Sequence, residues 1–279
     1  MMKPRPRLTL GGVVVAVLVG ALWQYAGVER PAPQAARPDD PQRRAAGARG
    51  ATVPSRQQTR SGAPSSRARF DFYLLALTLE PAFCEDGNQR IGQCRLLDAA
   101  AFERTPLVLH GLWPEVRQPG AWPRDCDGPR LALDAATRAE LVRWMPGMRE
   151  GLDRHEWRTH GTCTGLDDDA YFRAAIALTQ RANAALGDAI RHNAGRRMTA
   201  AQLRAAADRA VPQFGEHLVL VCRRLRSDAA AKRRQPHLIE VRVCLDDDGP
   251  GGGPGSLLRC ADVGRRDQGC GGGFMIDDL

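Results

Sequence analysis

The sequence predicts an α+β fold for residues 70–279. Runs typical of strands and runs typical of helices both occur in this region, which is long enough to bury a sizeable core. The same region holds all eight cysteines of the chain, at positions 84, 94, 126, 163, 222, 244, 260 and 270. An even cysteine count downstream of a hydrophobic leader indicates disulfides formed in an oxidising compartment. Which of the 105 pairings of eight cysteines forms cannot be decided by counting.

Four stretches predict the strands of this domain. They are apolar or alternate apolar and polar side chains, and they cover Phe70–Leu79, Leu107–His110, His217–Cys222 and His237–Leu245. A glycine follows the second stretch, and a proline ends the turn predicted after it. His110 is therefore expected at the end of a short strand, where its side chain would face a cleft.

One helix is predicted to begin at Asp134, which can cap it, and to run to about Met145. Its buried side is expected to carry Leu141, Val142 and Met145. Residues 146–147 are Pro-Gly and end this helix.

Two more helices are predicted further along the chain. The acidic run Asp167–Asp169 suits the start of a helix that reaches about Leu186, because carboxylates stabilise a helix N-terminus. Thr199 and Gln202 have capping-box spacing and predict a helix to about Ala210.

The first 69 residues are predicted to stand apart from the folded domain. Residues 1–28 combine Lys3, Arg5 and Arg7 with an uncharged apolar run over 8–28, which is typical of an export signal. That run is also near the length needed to span a bilayer, so residues 8–28 could remain as an inner-membrane anchor. We expect an exported protein, periplasmic or secreted, with or without this anchor.

Residues 29–69 predict a disordered linker, since they are rich in Pro, Ala, Arg, Gln and Ser and poor in large apolar side chains. Residues 1–69 hold 12 Lys and Arg against 3 Asp and Glu, whereas residues 70–279 hold 28 against 29. The net charge of +8 therefore belongs to the leading segment and is no evidence that the folded part binds nucleic acid.

The densest proton-transfer chemistry lies in the stretch 155–163, His-Glu-Trp-Arg-Thr-His-Gly-Thr-Cys. On a helix, Glu156 and His160 are four residues apart and share a face, so the carboxylate is expected to orient the imidazole. The stretch also approaches the zinc-protease signature. That signature needs histidines at i and i+4, whereas His155 and His160 are at i and i+5, about 140° apart. A zinc site is therefore disfavoured, and we predict no metal.

Two separate segments, His-Gly-Leu-Trp-Pro at 110–114 and His-Glu-Trp-x-x-His-Gly-Thr-Cys at 155–163, resemble the active-site segments of the ribonuclease T2 family. The resemblance extends from about Phe70 to the C-terminus. It implies a central antiparallel sheet flanked by helices and a metal-independent endoribonuclease without cofactor. Such an enzyme cleaves single-stranded RNA to 2′,3′-cyclic phosphate ends with little base specificity. No obligatory protein partner is implied.

The resemblance also implies roles for particular side chains. His160 would be the general base and His110 the general acid, and Glu156 would steady the transition state. His155 would contact the substrate phosphate. Apart from the resemblance, Arg158 is the arginine that we expect to contact the RNA. Trp113 and Glu115 would form the base-binding corner, where an indole can stack on any base. The implied disulfides are Cys84–Cys94, Cys126–Cys163, Cys222–Cys270 and Cys244–Cys260.

One position departs from the family pattern. The residue before the last histidine of the second segment is usually lysine in the family, but here it is Thr159. Loss of a cation beside the phosphorane would weaken transition-state stabilisation, unless Arg158 or Arg154 replaces it. An alternative is therefore a weakly active or inactive RNA-binding or interaction protein on the same fold. Replacing Thr159 by lysine would then restore activity.

Overall fold

The computed structural model describes residues 67–118, 122–226, 230, 234–249 and 251–279. The leader predicted at 1–28 and most of the linker predicted at 29–69 lie outside the described residues. Across the part of the chain that is described, no helix is long and apolar enough to cross a membrane. The export signal and the anchor therefore stay predictions.

The described strands form a sheet in the order β2-β1-β5-β7-β3, with β4 and β6 also paired to β5. All pairs are antiparallel except β5 with β7. The predicted α+β fold with a central, largely antiparallel sheet is confirmed. The strands are β1 (Phe72–Leu79), β2 (Leu107–Glu115), β3 (Arg197–Met198), β4 (Leu218–Arg223), β5 (His237–Asp247), β6 (Pro254–Leu257) and β7 (Phe274–Met275).

Helices connect these strands. They are α1 (Glu80–Glu85), α2 (Gly92–Leu96), α3 (Ala99–Arg104), α4 (Ala135–Trp144), α5 (Leu152–Thr159), α6 (Asp168–His192) and α7 (Ala200–Ala210), and single 3₁₀ turns occur at Pro146–Glu150, Gly161–Cys163, Phe214–His217 and Cys260–Val263. The predicted caps are confirmed: Asp134 accepts a hydrogen bond at the start of α4, and Thr199 forms a capping box with Gln202. Asp167 caps α6, which runs past Leu186 because Ile190 continues its buried face.

The prediction for the buried side of α4 is wrong at one position. Leu141 and Met145 are fully buried, but 48% of Val142 is exposed. Successive helix positions are about 100° apart, so Val142 turns away from the face that Leu141 and Met145 share.

Apolar side chains cover both faces of the sheet. On β1, Tyr73 and Leu75 join the large core against the helices, while Phe72 and Leu74 join a smaller cluster on the other face. This explains why β1 is apolar without interruption from Phe72 to Leu77 rather than alternating. Cys244 on β5 belongs to the smaller cluster. Side chains alternate along a strand, so Arg242 and Glu240, two and four positions before Cys244, face the same side of the sheet as Cys244.

Strand β2 contains an irregularity at the first motif. Gly111 pairs with Ala76 and Leu109 pairs with Leu77, so His110 is the extra residue of a β-bulge. The prediction that the strand ends at His110 is wrong, since β2 continues through Pro114. Proline is tolerated there because β2 is an edge strand, whose outward N–H groups need no partner in the sheet.

All four implied disulfides are present: Cys84–Cys94, Cys126–Cys163, Cys222–Cys270 and Cys244–Cys260. The second joins the loop after β2 to the turn after α5. The end of the predicted linker also contacts the fold, because Arg67 pairs with Asp247 and the Ala68 N–H donates to the Cys163 carbonyl.

Candidate active site

The bulge on β2 sets the position of His110. A bulge re-aims a side chain relative to the regular pleat, and such irregularities are common beside active sites. The His110 side chain is 36% exposed, so one edge of it is open to solvent. Its Nδ1 lies 2.9 Å from Oε2 of Glu240, and its Nε2 lies 3.9 Å from Oε1 of Glu156. The imidazole is thus held between two carboxyl groups from different elements.

Trp113 links the two motifs. Its ring centroid lies 5.1 Å from that of His110 and 5.5 Å from that of His160. The indole Nε1–H donates a 2.8 Å hydrogen bond to Oε2 of Glu156. The structure therefore brings His110, Trp113, Glu156 and His160 into one cluster, as the resemblance implies.

The expected contact between Glu156 and His160 is wrong. Glu156 is 1% exposed and is directed at Trp113 and His110. His160 is the first residue after α5, with φ −122° and ψ −49°, so its side chain leaves the helical face that it was expected to share. Its backbone N–H still donates to the Glu156 carbonyl, but its Nδ1 is buried and has no hydrogen-bond partner among the described residues.

Gly111 explains the glycine of the first motif. A side chain at this position would collide with Oε2 of Glu156 and with Nε1 of Trp113. Absence of a Cβ therefore lets β2 approach α5 closely enough for the indole and the carboxyl group to meet.

The two imidazoles of the cluster have opposite pKa shifts. Burial, together with the charges of the neighbouring His155 and His110, lowers the pKa of His160 to about 3. Burial also acts to lower the pKa of His110, but the hydrogen bond that its ring donates to Glu240 and the charges of Glu156 and Glu240 outweigh burial, so the pKa of His110 is raised. Burial raises the pKa of Glu156 to about 7. Pairs of titratable groups whose pKa values are driven apart are the usual sign of separate acid and base roles.

Glu240 and Arg242 belong to the cluster but were not predicted as site residues. Arg242 forms an ion pair through Nε with Oε1 of Glu240, and its guanidinium carbon lies 5.2 Å from the Trp113 ring centroid. Both residues are charged positions inside a strand whose neighbours are apolar. That pattern was visible in the sequence, but only the sheet order shows that β5 faces the first motif across β1.

A cavity of about 560 Å³ opens beside this cluster. Trp113, Glu115, Trp122, His160 and Arg242 are among the residues that line it. The carboxylate of Glu115 is not free, because Nη2 of Arg265 lies 2.7 Å from its Oε2. Trp122 is 45% exposed and offers an aromatic face at the rim.

The remaining predicted residues lie at the edge of the cluster. His155 and Arg158 are exposed on α5. Partial desolvation of the imidazole lowers the pKa of His155, and the Arg158 charge contributes a smaller lowering. Thr159 is 4% exposed and faces Asp125, whose Oδ1 lies 3.4 Å from the Thr159 hydroxyl. Thr159 therefore stabilises the packing of the loop around Cys126 against the end of α5. Among the described residues, no three or more His, Cys, Asp or Glu side chains are grouped to hold a metal ion.

Comparison with known proteins finds a family and related sequences. Residues 70–250 match the model of the ribonuclease T2 family. A ribonuclease of Aeromonas hydrophila is 31% identical over 191 residues, which cover 67% of this chain and 77% of that protein. Ribonuclease I of Escherichia coli is 32% identical over 143 residues, which cover 40% of this chain and 53% of that protein.

Solved structures share the fold. Ribonuclease MC1 from bitter gourd seeds has a TM-score of 0.52 at 22% identity, over 74% of this chain and all of that one. A variant of ribonuclease MC1 in complex with 5′-UMP has a TM-score of 0.51 at 24% identity, over 75% of this chain and 99% of that one.

Proposed function

Because the chain belongs to the ribonuclease T2 family, we propose that it is an endoribonuclease that cleaves single-stranded RNA without a metal ion and leaves 2′,3′-cyclic phosphate ends. The observation that carries the proposal is the pair of imidazoles beside Trp113, with ring centroids 5.1 Å and 5.5 Å from the indole: His110 has a raised pKa and His160 a lowered one. At mildly acidic pH His160 is neutral and His110 is protonated. General base and general acid are then both ready for RNA cleavage.

Two proton transfers would accompany the reaction. Neutral His160 accepts the proton of the 2′-hydroxyl as O2′ forms its bond to phosphorus. The bond between phosphorus and O5′ breaks, and protonated His110 gives its Nε2 proton to O5′. Water can later open the cyclic phosphate to a 3′-phosphate.

Glu156 would steady the transition state from the His110 side rather than together with His160. With a pKa of about 7 it is largely protonated at mildly acidic pH, so it can donate a hydrogen bond to a phosphorane oxygen without adding negative charge. His155 and Arg158, both exposed on α5, would contact the flanking phosphate.

A nucleobase would enter the cavity lined by Trp113, Glu115 and Trp122. Stacking on an aromatic ring stabilises any base by about 1–3 kcal/mol, which favours low base specificity. Glu115, held by Arg265, supplies acceptor oxygens that are fixed in place.

The proposed site of action is outside the cytoplasm, in the periplasm or the medium. All eight cysteines are joined in disulfides, and disulfides persist in oxidising compartments. Export through residues 1–28, with or without an inner-membrane anchor at 8–28, accords with those disulfides.

The test is incubation of the full-length chain with single-stranded RNA in EDTA at mildly acidic pH, with detection of 2′,3′-cyclic phosphate ends. His110→Ala and His160→Ala should each lower kcat by about 100- to 10,000-fold, the usual contribution of a general acid or base. His192→Ala is the matched control, because His192 is exposed at the end of α6, where its Nδ1 lies 2.7 Å from the Asp188 carbonyl oxygen. Cleavage that survives both substitutions, or that EDTA abolishes, would reject the proposal.

The alternative is a weakly active or inactive RNA-binding protein, because Thr159 replaces the lysine of the family pattern. It is favoured by the position of Thr159, which is buried against Asp125 and adds no positive charge to the site. In that case the wild-type chain binds RNA without turnover, and Thr159→Lys produces cleavage. Equal turnover of wild type and Thr159→Lys would remove the alternative.

A further inference from the structure

Glu240 is a buried carboxylate that neither sequence motif contains. It lies on β5, two strands away from His110 in the sheet, with β1 between them. The bulge turns His110, and the alternation of side chains along β5 turns Glu240, towards the same face of the sheet. Across β1 the two side chains then lie at a hydrogen-bond distance of 2.9 Å. An acidic residue that contacts only the far nitrogen of a catalytic imidazole can act on the reaction through the ring.

We propose that Glu240 is a positioning residue that keeps a proton on Nδ1 of His110, so that Nε2 is the nitrogen that donates to the departing O5′. This inference rests on the acid role proposed for His110 above. Nε2 is the nitrogen on the side of Glu156, and Nδ1 is the nitrogen that Glu240 occupies. When Nε2 gives up its proton, the neutral ring retains Nδ1–H, and Glu240 holds it in orientation.

Both oxygens of Glu240 are engaged. Oε2 accepts from Nδ1 of His110, and Oε1 accepts from Nε of Arg242. Burial alone would raise the pKa of Glu240, but the hydrogen bond from His110 and the charge of Arg242 hold it below the usual range. The carboxylate is therefore ionised wherever the site works, and it cannot rotate without losing one of two charge-assisted hydrogen bonds.

The other carboxyl group near the ring does not compete for this role. Glu156 faces Nε2 at 3.9 Å, and with a pKa of about 7 it is largely uncharged at mildly acidic pH. Arg242 from β5, with His155 and His160 from α5 and the turn after it, are the cationic or titratable groups that also face the ring. Glu240 is the carboxylate that is still ionised at mildly acidic pH, so it favours protonated His110 there, whereas Glu156 adds its charge only at higher pH.

Replacing Glu240 by glutamine removes the negative charge but keeps the size and shape of the side chain. A carboxylate accepts on both oxygens, but a glutamine accepts on one and donates from the other. In Glu240→Gln, Arg242 needs the acceptor, so the amide NH₂ faces Nδ1 of His110. The imidazolium is then disfavoured, and the neutral ring carries its proton on Nε2 instead.

The experiment follows ¹⁵N shifts of the His110 ring in the full-length chain through a pH titration, with signals assigned by their absence in His110→Ala. In the wild type, the neutral ring should show Nδ1–H and a pKa above that of a free histidine. In Glu240→Gln, the pKa should fall and the neutral proton should move to Nε2. Glu240→Asp, which keeps the charge, should restore Nδ1–H. Asp246→Asn on the same strand should change neither.

Activity provides the second measurement. Glu240→Gln should lower kcat by about 10- to 100-fold with KM little changed, less than the loss expected for removing the acid itself. The alkaline limb of its pH–rate profile should move to lower pH, a change that simple loss of packing would not cause.

The titration of the His110 ring does not depend on RNA cleavage. An inactive wild-type protein would therefore contradict the proposed function, while the titration would still test the role of Glu240. A wild-type neutral ring protonated on Nε2 would overturn the proposal, even if Glu240→Gln does not fold. So would a Glu240→Gln ring with the wild-type pKa and tautomer.

Discussion

Replacement of Trp113 by phenylalanine tests how the two motifs are joined. Phenylalanine keeps an aromatic ring near His110 and His160 but removes the N–H that donates to Oε2 of Glu156 at 2.8 Å. Glu156 is 1% exposed, so solvent cannot replace that donor. We expect a loss of stability whose size depends on whether Glu156 is charged.

The magnitude follows from the protonation state of the acceptor. A hydrogen bond to a charged group contributes about 1.5–3 kcal/mol, and one between neutral groups about 0.5–1.5 kcal/mol. The pKa of Glu156 is raised to about 7, so the folded state binds this proton more tightly than the unfolded state. That contribution to stability is complete below the unfolded pKa and is lost as the pH rises through about 7. Trp113→Phe should therefore cost about 1 kcal/mol more at pH 8.5 than at pH 5.

The assay is urea denaturation of wild type and Trp113→Phe at both pH values. Trp157→Phe is the matched control, because the Trp157 Nε1–H donates over the same 2.8 Å distance to the carbonyl of Pro129, which does not titrate. Its cost should be equal at the two pH values. Equal costs for Trp113→Phe at both pH values would refute the reasoning, since the indole would then not be supporting an ionisable acceptor.

Two further predictions concern rate and crosslinks. Cleavage requires neutral His160 and protonated His110, so initial rates should rise as the pH passes about 3 and fall only as it passes the raised pKa of His110. A rate profile with its acid limb near the ordinary histidine pKa would contradict this. Replacing both cysteines of Cys126–Cys163 by serine should lower the free energy of unfolding by about 4 kcal/mol, because the crosslink spans 37 residues. The same change at Cys244–Cys260, which spans 16 residues, should cost about 3 kcal/mol. Denaturation midpoints that reverse this order would count against the loop-entropy argument.

Local patterns were sufficient for much of this protein. The caps at Asp134 and Thr199 were predictable because each depends on a side chain and a backbone N–H a few residues apart. The two motifs and the four disulfide pairings followed from resemblance to a family, and the fold confirms that His110, Trp113, Glu156 and His160 converge.

Other features depend on contacts between distant parts of the chain. His110 faces the site because it is the residue of β2 that has no partner on β1. The register between two strands depends on both of them, so neither strand's sequence predicts it alone. Glu156 meets Trp113 rather than His160 because α5 ends before residue 160 and packs against β2. Only the order of strands places Glu240 beside His110. The sequence by itself thus determined which side chains could carry acid–base chemistry, because that depends on residue type and local spacing. The tertiary structure decided which carboxyl group serves which imidazole, because sheet register and helix termination set those distances.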